Sequence, residues 1–133
     1  MDEYTVKYNL PNEMEESNNT YGRKSYNDKN NNTVNIYIEK ENAQDLLNGL
    51  STDYILTSNY YQNQQITDIS DYSINNYQYK YRAITYNDSF GEYTKLYFVY
   101  GINNSYTYVV EATIKDNSLS LEQMDYFLDI TVE

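Results

Sequence analysis

The chain has 133 residues, carries a net charge of −11 and contains neither cysteine nor histidine. Disulfide bonds, thiolate or imidazole metal sites, histidine-based catalytic triads and cysteine nucleophiles are therefore excluded. With 20 acidic and 9 basic residues, the chain also disfavours nucleic acid and anionic membrane surfaces as partners, because both repel an acidic protein.

Tyrosine dominates the aromatic content and shapes the expected core. The sequence has 19 tyrosines, 3 phenylalanines and no tryptophan. We therefore expect tyrosine rings to be buried beside Ile, Val and Leu. Each buried ring adds a large apolar area, and its hydroxyl needs a hydrogen-bond partner.

The chain opens with a predicted strand. Apolar and polar residues alternate over residues 4–8, which is typical of a half-buried strand. Pro11 ends this strand, because proline cannot extend a hydrogen-bonded ladder. Residues 13–19 are polar and predict a loop.

A hairpin is predicted next. Residues 21–26 form a weak strand candidate, and the turn-forming residues 28–32 follow it. The next run alternates and places Val34, Ile36 and Ile38 on one face. We expect the two strands around the turn to pair.

A helix follows the hairpin. Asn42 is a favourable N-cap, and the apolar residues after it recur at helical spacing. These residues are Ala43, Leu46, Leu47 and Leu50. The stretch 51–65 is ambiguous, since residues 54–61 fit a helix and the whole stretch also fits a loop. Residues 66–74 contain a further strand.

The clearest pattern consists of three alternating runs that are separated by short turns of Asn, Asp, Ser and Gly. One face of the three runs carries Tyr77, Tyr79, Tyr81 and Ala83, then Leu96, Phe98, Tyr100 and Ile102, and then Tyr106, Tyr108, Val110, Ala112 and Ile114. Such runs predict an antiparallel meander.

The last segment predicts a second helix. Ser120 and Gln123 have the spacing of a capping box. The apolar side of this helix would be formed by Leu121, Met124, Phe127 and Leu128. The fold class is therefore α+β, an antiparallel meander packed by a helix after the third strand and by a C-terminal helix. We find no linker or repeat and expect a single domain over residues 1–133.

The order of these elements resembles the PsbP-like α/β/α sandwich, especially the small domains of that fold in lipoproteins of AT-rich Gram-positive bacteria. The resemblance rests on the Leu10-Pro11 turn, the Tyr-rich segment 75–81 and the central strands 96–100 and 106–110. It implies an extracytoplasmic, non-enzymatic binding or assembly role. It transfers no functional residue, because this fold hosts several functions.

Tyr77, Tyr79 and Tyr81 are the candidate ligand surface. Rings on one face of a strand lie about 7 Å apart, a spacing that suits successive units of an extended sugar or peptide. The favoured alternative is structural, since half-buried strands prefer tyrosine and the ladder could pack beneath a helix. Lys80 and Arg82 face the other side, where they could pair with acids on neighbouring strands.

Two further patterns, a calcium-loop spacing and an acidic cluster, have simpler structural explanations. Asp28, Asn30, Asn32 and Glu39 have EF-hand spacing, but Thr33 stands where the sharp turn needs glycine. A hairpin turn accounts better for this segment, and we predict no metal and no cofactor.

The second acidic cluster is Glu13, Glu15 and Glu16. Paired carboxylates can serve glycoside chemistry, but neighbouring acids in a loop are more simply explained by solvation. The sequence therefore predicts no enzyme and no catalytic residue.

The functional prediction is a non-catalytic extracytoplasmic binding domain, the mature part of a lipoprotein or secreted protein. Its ligand would be a protein or a cell-wall glycan, and it would touch the membrane only through an upstream lipid anchor. Met1 is followed directly by Asp2 and Glu3, unlike a secretory signal, so a cytosolic location also stays open. The alternatives are an acidic, inhibitor-like intracellular domain and a carboxylate-based glycan-acting enzyme.

Overall fold

The computed structural model describes residues 4–20 and 22–133. Its strands are β1 (Val6–Lys7), β2 (Glu15–Thr20), β3 (Arg23–Asn27), β4 (Thr33–Glu39), β5 (Gln62–Ile66), β6 (Ser70–Ile74), β7 (Tyr77–Asp88), β8 (Gly91–Gly101), β9 (Thr107–Lys115) and β10 (Thr131–Val132). Its helices are α1 (Ala43–Gly49), α2 (Tyr54–Thr57) and α3 (Leu121–Leu128), and a 3-10 turn (Leu50–Thr52) joins α1 to α2. In these two ranges, no helix combines the length and apolar character needed to cross a bilayer.

The main sheet has the strand order β2-β3-β4-β9-β8-β7-β5, and β6 also pairs with β7. All of its pairings are antiparallel. The predicted meander is confirmed as β7-β8-β9, and the predicted hairpin is confirmed as β3-β4. Tyr21, part of the weak strand candidate, lies outside the described residues. β1 and β10 form a separate two-stranded ribbon.

Four local predictions differ from the structure. The polar residues predicted as a loop contain β2, an edge strand that pairs with β3. A strand at the sheet edge with exposed side chains has no apolar alternation, so periodicity could not reveal it. The predicted helix α1 consequently follows the fourth strand, not the third. The strand expected over residues 4–8 is reduced to Val6–Lys7. In the ambiguous stretch 51–65, the helical alternative for residues 54–61 is confirmed in part by α2 at Tyr54–Thr57, whereas Gln62–Ile66 form β5.

The two faces of the sheet bury different cores. On the face that we call the α3 face, Leu96, Phe98 and Val110 pack with Met124 and Phe127. On the opposite α1 face, the buried cluster is Leu47, Ile55, Ile84, Tyr86, Tyr97, Val99 and Val109. Successive strand residues point to opposite faces, so β8 serves both cores. Helices therefore lie against both faces of the sheet.

Both predicted helix caps are present. The Asn42 side chain accepts a hydrogen bond from the Asp45 amide at 2.9 Å. Ser120 and Gln123 form the reciprocal capping box, at 3.0 and 3.3 Å. Leu121, predicted on the apolar side of α3, is instead 51% exposed, whereas Met124, Phe127 and Leu128 are buried.

Buried tyrosines find their hydroxyl partners at the end of α3. Tyr79 donates to the Leu128 carbonyl at 2.7 Å, and Tyr108 donates to the Phe127 carbonyl at 2.8 Å. The last carbonyls of a helix have no partner within the helix. The two rings therefore fill the core and also satisfy the C-terminal end of α3.

Lys80 and Arg82, which alternate with the Tyr77–Tyr81 ladder, have different kinds of partner. Lys80 pairs with Asp71 on β6 at 2.8 Å, as predicted. Arg82 pairs with no acid among the described residues and instead donates to the carbonyls of Thr67 and Leu47, at 2.8 and 2.9 Å. Arg82 thereby ties the end of α1 to the sheet.

The hairpin turn between β3 and β4 is organised by Asp28. Its Oδ1 accepts the amides of Asn30 and Asn32, at 2.9 and 3.0 Å, and its Oδ2 accepts the Asn32 side-chain amide at 2.9 Å. Glu39 lies at the far end of β4. The segment is a hairpin turn, the interpretation that the sequence favoured over a calcium loop.

Asn32 is fully buried and joins this turn to the segment after β9. Its Oδ1 accepts the Lys115 amide at 2.8 Å, while its Nδ2 donates to Asp28 and to the Ser118 hydroxyl. Every polar atom of the side chain thus has a partner, as burial requires.

We expect Asn32→Asp to lower the free energy of unfolding by about 3 kcal/mol near neutral pH. The new carboxylate would be buried beside Asp28 and would lose the Nδ2 donor. Because burial raises the pKa of a carboxyl, the penalty should be full at neutral pH and shrink as pH falls toward about 4. Urea unfolding at both pH values measures this. Asn31→Asp, an exposed neighbour, is the control, and equal effects of the two substitutions would contradict the prediction.

Candidate binding surface on the α1 face

An apolar cleft lies between α1 and the sheet. Its walls are Leu46, Leu47 and Leu50 from the helical segment and Val99 and Val109 from β8 and β9. The cleft encloses about 240 Å³. α1 stands over it because the Asn42 cap fixes where the helix begins and Arg82 holds its last turn. Such a concavity can accept one small apolar group.

The polar end of the cleft holds a partly buried ion pair. Lys95 Nζ lies 3.4 Å from Glu111 Oε1, and the two side chains are 18% and 15% exposed. The Tyr37 hydroxyl donates to the other carboxylate oxygen, Oε2, at 3.2 Å. Burial alone lowers the pKa of Lys95, but the carboxylates of Glu111 and Asp53 outweigh it, so the Lys95 pKa is raised. Lys95 therefore stays charged, and both oxygens of Glu111 are occupied.

A cation already stacks on a tyrosine at this end. The Arg23 guanidinium carbon lies 3.8 Å from the centroid of the Tyr37 ring, within the range of a cation–π contact. Arg23 also approaches Glu39 at 3.5 Å. The chain itself therefore contains a guanidinium group that stacks on a tyrosine ring beside a carboxylate.

The tyrosine surface adjoins the cleft. We define it as Tyr54, Tyr60, Tyr61, Tyr86 and Tyr93. Tyr86 is buried, and its ring is stacked on Tyr93 at 5.3 Å and meets Tyr61 edge-on at 4.8 Å. Tyr61 meets Tyr60 edge-on at 5.0 Å. The outer rings, Tyr60 and Tyr54, are 65% and 64% exposed.

The register of the sheet explains this cluster. Tyr86 and Tyr93 are directly opposite each other on β7 and β8, and cross-strand aromatic pairs of this kind stabilise a sheet. Asp53 is the N-cap of α2, and its side chain accepts the Ile55 amide at 3.0 Å. Ile55 in this helix is buried in the core of the α1 face. The chain then reverses into β5 and leaves Tyr60 and Tyr61 beside Tyr86. The aromatic pairs are thus assembled by packing, while Tyr60 and Tyr54 extend beyond it.

Two carboxylates flank the tyrosine surface. Asp88 Oδ1 accepts the amides of Phe90 and Gly91, at 2.7 and 3.2 Å, and Asp116 Oδ1 accepts the Glu92 amide at 3.0 Å. After burial, the negative charges of Asp88 and Asp116 are the main causes that raise the pKa of Tyr93. Both carboxylates therefore disfavour the ionised form of Tyr93.

The predicted ligand residues lie on the opposite, α3 face. Tyr79 is 0% exposed and bonded to α3, so the prediction that it contacts a ligand is wrong. Tyr77 and Tyr81 are half-buried and pack against the same core. A role for those two rings in ligand contact stays a prediction. The ladder packs beneath a helix, which was the structural alternative.

One sequence feature other than hydrophobic periodicity indicates part of the tyrosine surface. Tyr86 and Tyr93 are placed symmetrically about the turn between β7 and β8, so they had to pair in any tight hairpin. Tyr60 and Tyr61 fell in the ambiguous stretch, which concealed their position. Glu13, Glu15 and Glu16 are all exposed, in agreement with the solvation interpretation.

No family model matches the chain, and no curated protein matches it. A crystal structure of a protein from Bacteroides thetaiotaomicron VPI-5482 is similar, with a TM-score of 0.63 and 15% sequence identity. The similarity covers 96% of this chain and 44% of that chain, so this chain spans less than half the length of that protein. The likeness concerns the fold, which belongs to the α+β class and is mainly antiparallel sheet.

Proposed function

We propose that this chain is a non-catalytic binding domain that presents the tyrosine surface to its ligand. The observation that carries the proposal is the exposure of Tyr54 and Tyr60 at the edge of a fixed aromatic cluster. Large exposed aromatic groups next to a packed patch are typical of binding surfaces. Because Tyr86 and Tyr93 anchor the cluster, the outer rings would bind with little loss of conformational freedom.

The proposal includes the PsbP-like α/β/α sandwich and an extracytoplasmic location as part of a lipoprotein or secreted protein. Helices against both faces of an antiparallel sheet support the sandwich architecture. The location rests on the sequence resemblance alone. Fractionation of the source cells tests it: recovery with exported or membrane-anchored proteins is expected, and recovery in the cytosol would contradict it.

Binding is tested with a panel of defined probes. The panel contains chitohexaose as a neutral glycan and two heptapeptides of opposite charge. We expect saturable binding of at least one probe, and we expect Tyr54→Ala/Tyr60→Ala to weaken it by at least about tenfold. Isothermal titration calorimetry measures both quantities.

The matched control removes two side chains of similar exposure from α3, Leu121 and Tyr126, which are 51% and 48% exposed. Leu121→Ala/Tyr126→Ala should leave the affinity unchanged. The proposal fails if no probe binds, or if both double variants weaken binding equally.

A further inference from the structure

We propose that the tyrosine surface recognises a cationic peptide segment that carries arginine. This inference rests on the proposed binding function and names the chemistry of the ligand. It combines the open ring of Tyr60, the two carboxylates beside Tyr93 and the acidic character of the whole chain.

The rings supply the first half of the recognition. The Tyr60 ring is perpendicular to the Tyr61 ring and is 65% exposed, so most of it is accessible to a planar group. A guanidinium ion is planar and stacks on aromatic faces better than an ammonium ion does. Arg23 on Tyr37 shows that such stacking occurs on this same face of the sheet.

The carboxylates supply the second half. Asp88 and Asp116 each use Oδ1 for backbone amides. In the described part of the chain, no residue donates a hydrogen bond to Oδ2 of either carboxylate, and neither forms a salt bridge. Charge-assisted bonds from an arginine fork to a carboxylate are strong and directional. Lys115 is a competing cation at this site, because it lies directly opposite Tyr93 on β9 and its Cε and the Asp116 carboxylate both approach Gly91.

The net charge of −11 favours the same class of partner. An acidic protein attracts basic segments over a distance and accelerates their association. The region around the rings contains Asp53, Asp88 and Asp116 in addition to the paired Lys95 and Glu111. The surface is therefore complementary to positive charge locally as well as globally.

A neutral glycan fits this surface less well. Sugar binding would need amide groups beside the rings, and the chain does have an amide-rich hollow of about 370 Å³ with Asn63, Gln65 and Asn87 in its lining. The inner rings Tyr86 and Tyr93 also line this hollow, but the exposed rings Tyr54 and Tyr60 do not. A sugar in the hollow would therefore not contact the two exposed rings that carry the proposed function.

The test compares two peptides that differ only in charge. The first is acetyl-Gly-Arg-Gly-Arg-Gly-Arg-Gly-amide, and the second has citrulline in place of each arginine. We expect the arginine peptide to bind and the citrulline peptide to bind at least about tenfold more weakly, because citrulline keeps the shape but loses the charge.

A pair of charge variants locates the contact. Asp88→Asn/Asp116→Asn keeps an oxygen acceptor for the backbone amides and removes two charges. It should weaken binding of the arginine peptide by at least about tenfold and flatten the salt dependence. Glu13→Gln/Glu15→Gln removes the same charge from an exposed site elsewhere and should change the affinity by less than about twofold.

The inference is overturned if the citrulline peptide binds equally well, or if both charge variants weaken binding to the same extent. Binding that is indifferent to Tyr60→Ala would also overturn it. If chitohexaose binds in a Tyr60-dependent manner and the arginine peptide does not, the inference fails while the proposed binding function stands. The peptide comparison on the unaltered chain decides the question even if a variant does not fold.

Discussion

Raising the pH above about 10 is expected to unfold the protein cooperatively. Burial raises the pKa of several tyrosines well above the ordinary value of 10.0, namely Tyr8, Tyr37, Tyr79, Tyr97 and Tyr108. Burial also raises the pKa of Tyr86 to about 12. The unfolded chain would release these protons near pH 10, whereas the folded chain retains them.

The direction of the effect follows from proton linkage. The stability associated with these neutral tyrosines is fully present below pH 10 and is lost as pH rises toward their pKa in the fold. Each such tyrosine costs about 1.4 kcal/mol per pH unit in that interval. Several acting together remove a large part of the stability of a domain, which is usually about 5–15 kcal/mol, by about pH 12.

Two signals recorded on one alkaline titration check this prediction. Tyrosinate absorbance and the circular dichroism of the sheet should change together in one steep step. The same titration in concentrated urea should show gradual ionisation centred near the ordinary tyrosine pKa of about 10. Gradual ionisation in water, with the sheet intact, would show that the tyrosines are not held neutral by the fold.

Phe98→Ala is expected to lower the free energy of unfolding by about 3–5 kcal/mol. Phe98 is 0% exposed, and the rings of Tyr72, Tyr79 and Tyr81 lie 5.6, 6.4 and 5.1 Å from it. Removing the ring would leave a cavity between β7, β8 and α3, and these neighbours are themselves too large to move into it. Urea unfolding measures the change.

The control for this substitution is Phe90→Ala. Phe90 is 70% exposed in the turn between β7 and β8, so the same change of side chain should alter stability by less than about 0.5 kcal/mol. A small effect at Phe98, or equal effects at both positions, would contradict the assignment of Phe98 to the core.

The sequence revealed most of the fold where burial imposes a period. Leu96, Phe98 and Val110 recur at every second position because one side of each strand packs against α3. The residues between them face the α1 side of the sheet. Asn42 and Ser120 predicted where two helices begin, because helix capping depends on the local sequence. β2 was not predicted because the exposed side chains of an edge strand show no alternation of apolar and polar residues. β5 was not predicted because its sequence is rich in amide side chains.

The candidate site was harder to predict for a physical reason. The regular alternation of Tyr77, Tyr79 and Tyr81 suggested a ligand surface. However, alternation indicates that one side of a strand is buried, and Tyr79 is among the most buried side chains. The surface that we propose instead joins Tyr54 and Tyr60 to Tyr86 and Tyr93, which are far apart in the chain. The pairing of β5 with β7 brings the segment that carries Tyr54 and Tyr60 beside Tyr86, and the pairing of β7 with β8 places Tyr86 opposite Tyr93.

Chemical-shift mapping tests the central claim, that ligands bind on the α1 face, most directly. The chain would be labelled with nitrogen-15 and titrated with the arginine heptapeptide until the amide shifts saturate. We predict that the largest changes fall in residues 53–61, 86–95 and 115–117, around the tyrosine surface. Changes centred on α3 or around Tyr77 and Tyr81 would contradict the claim.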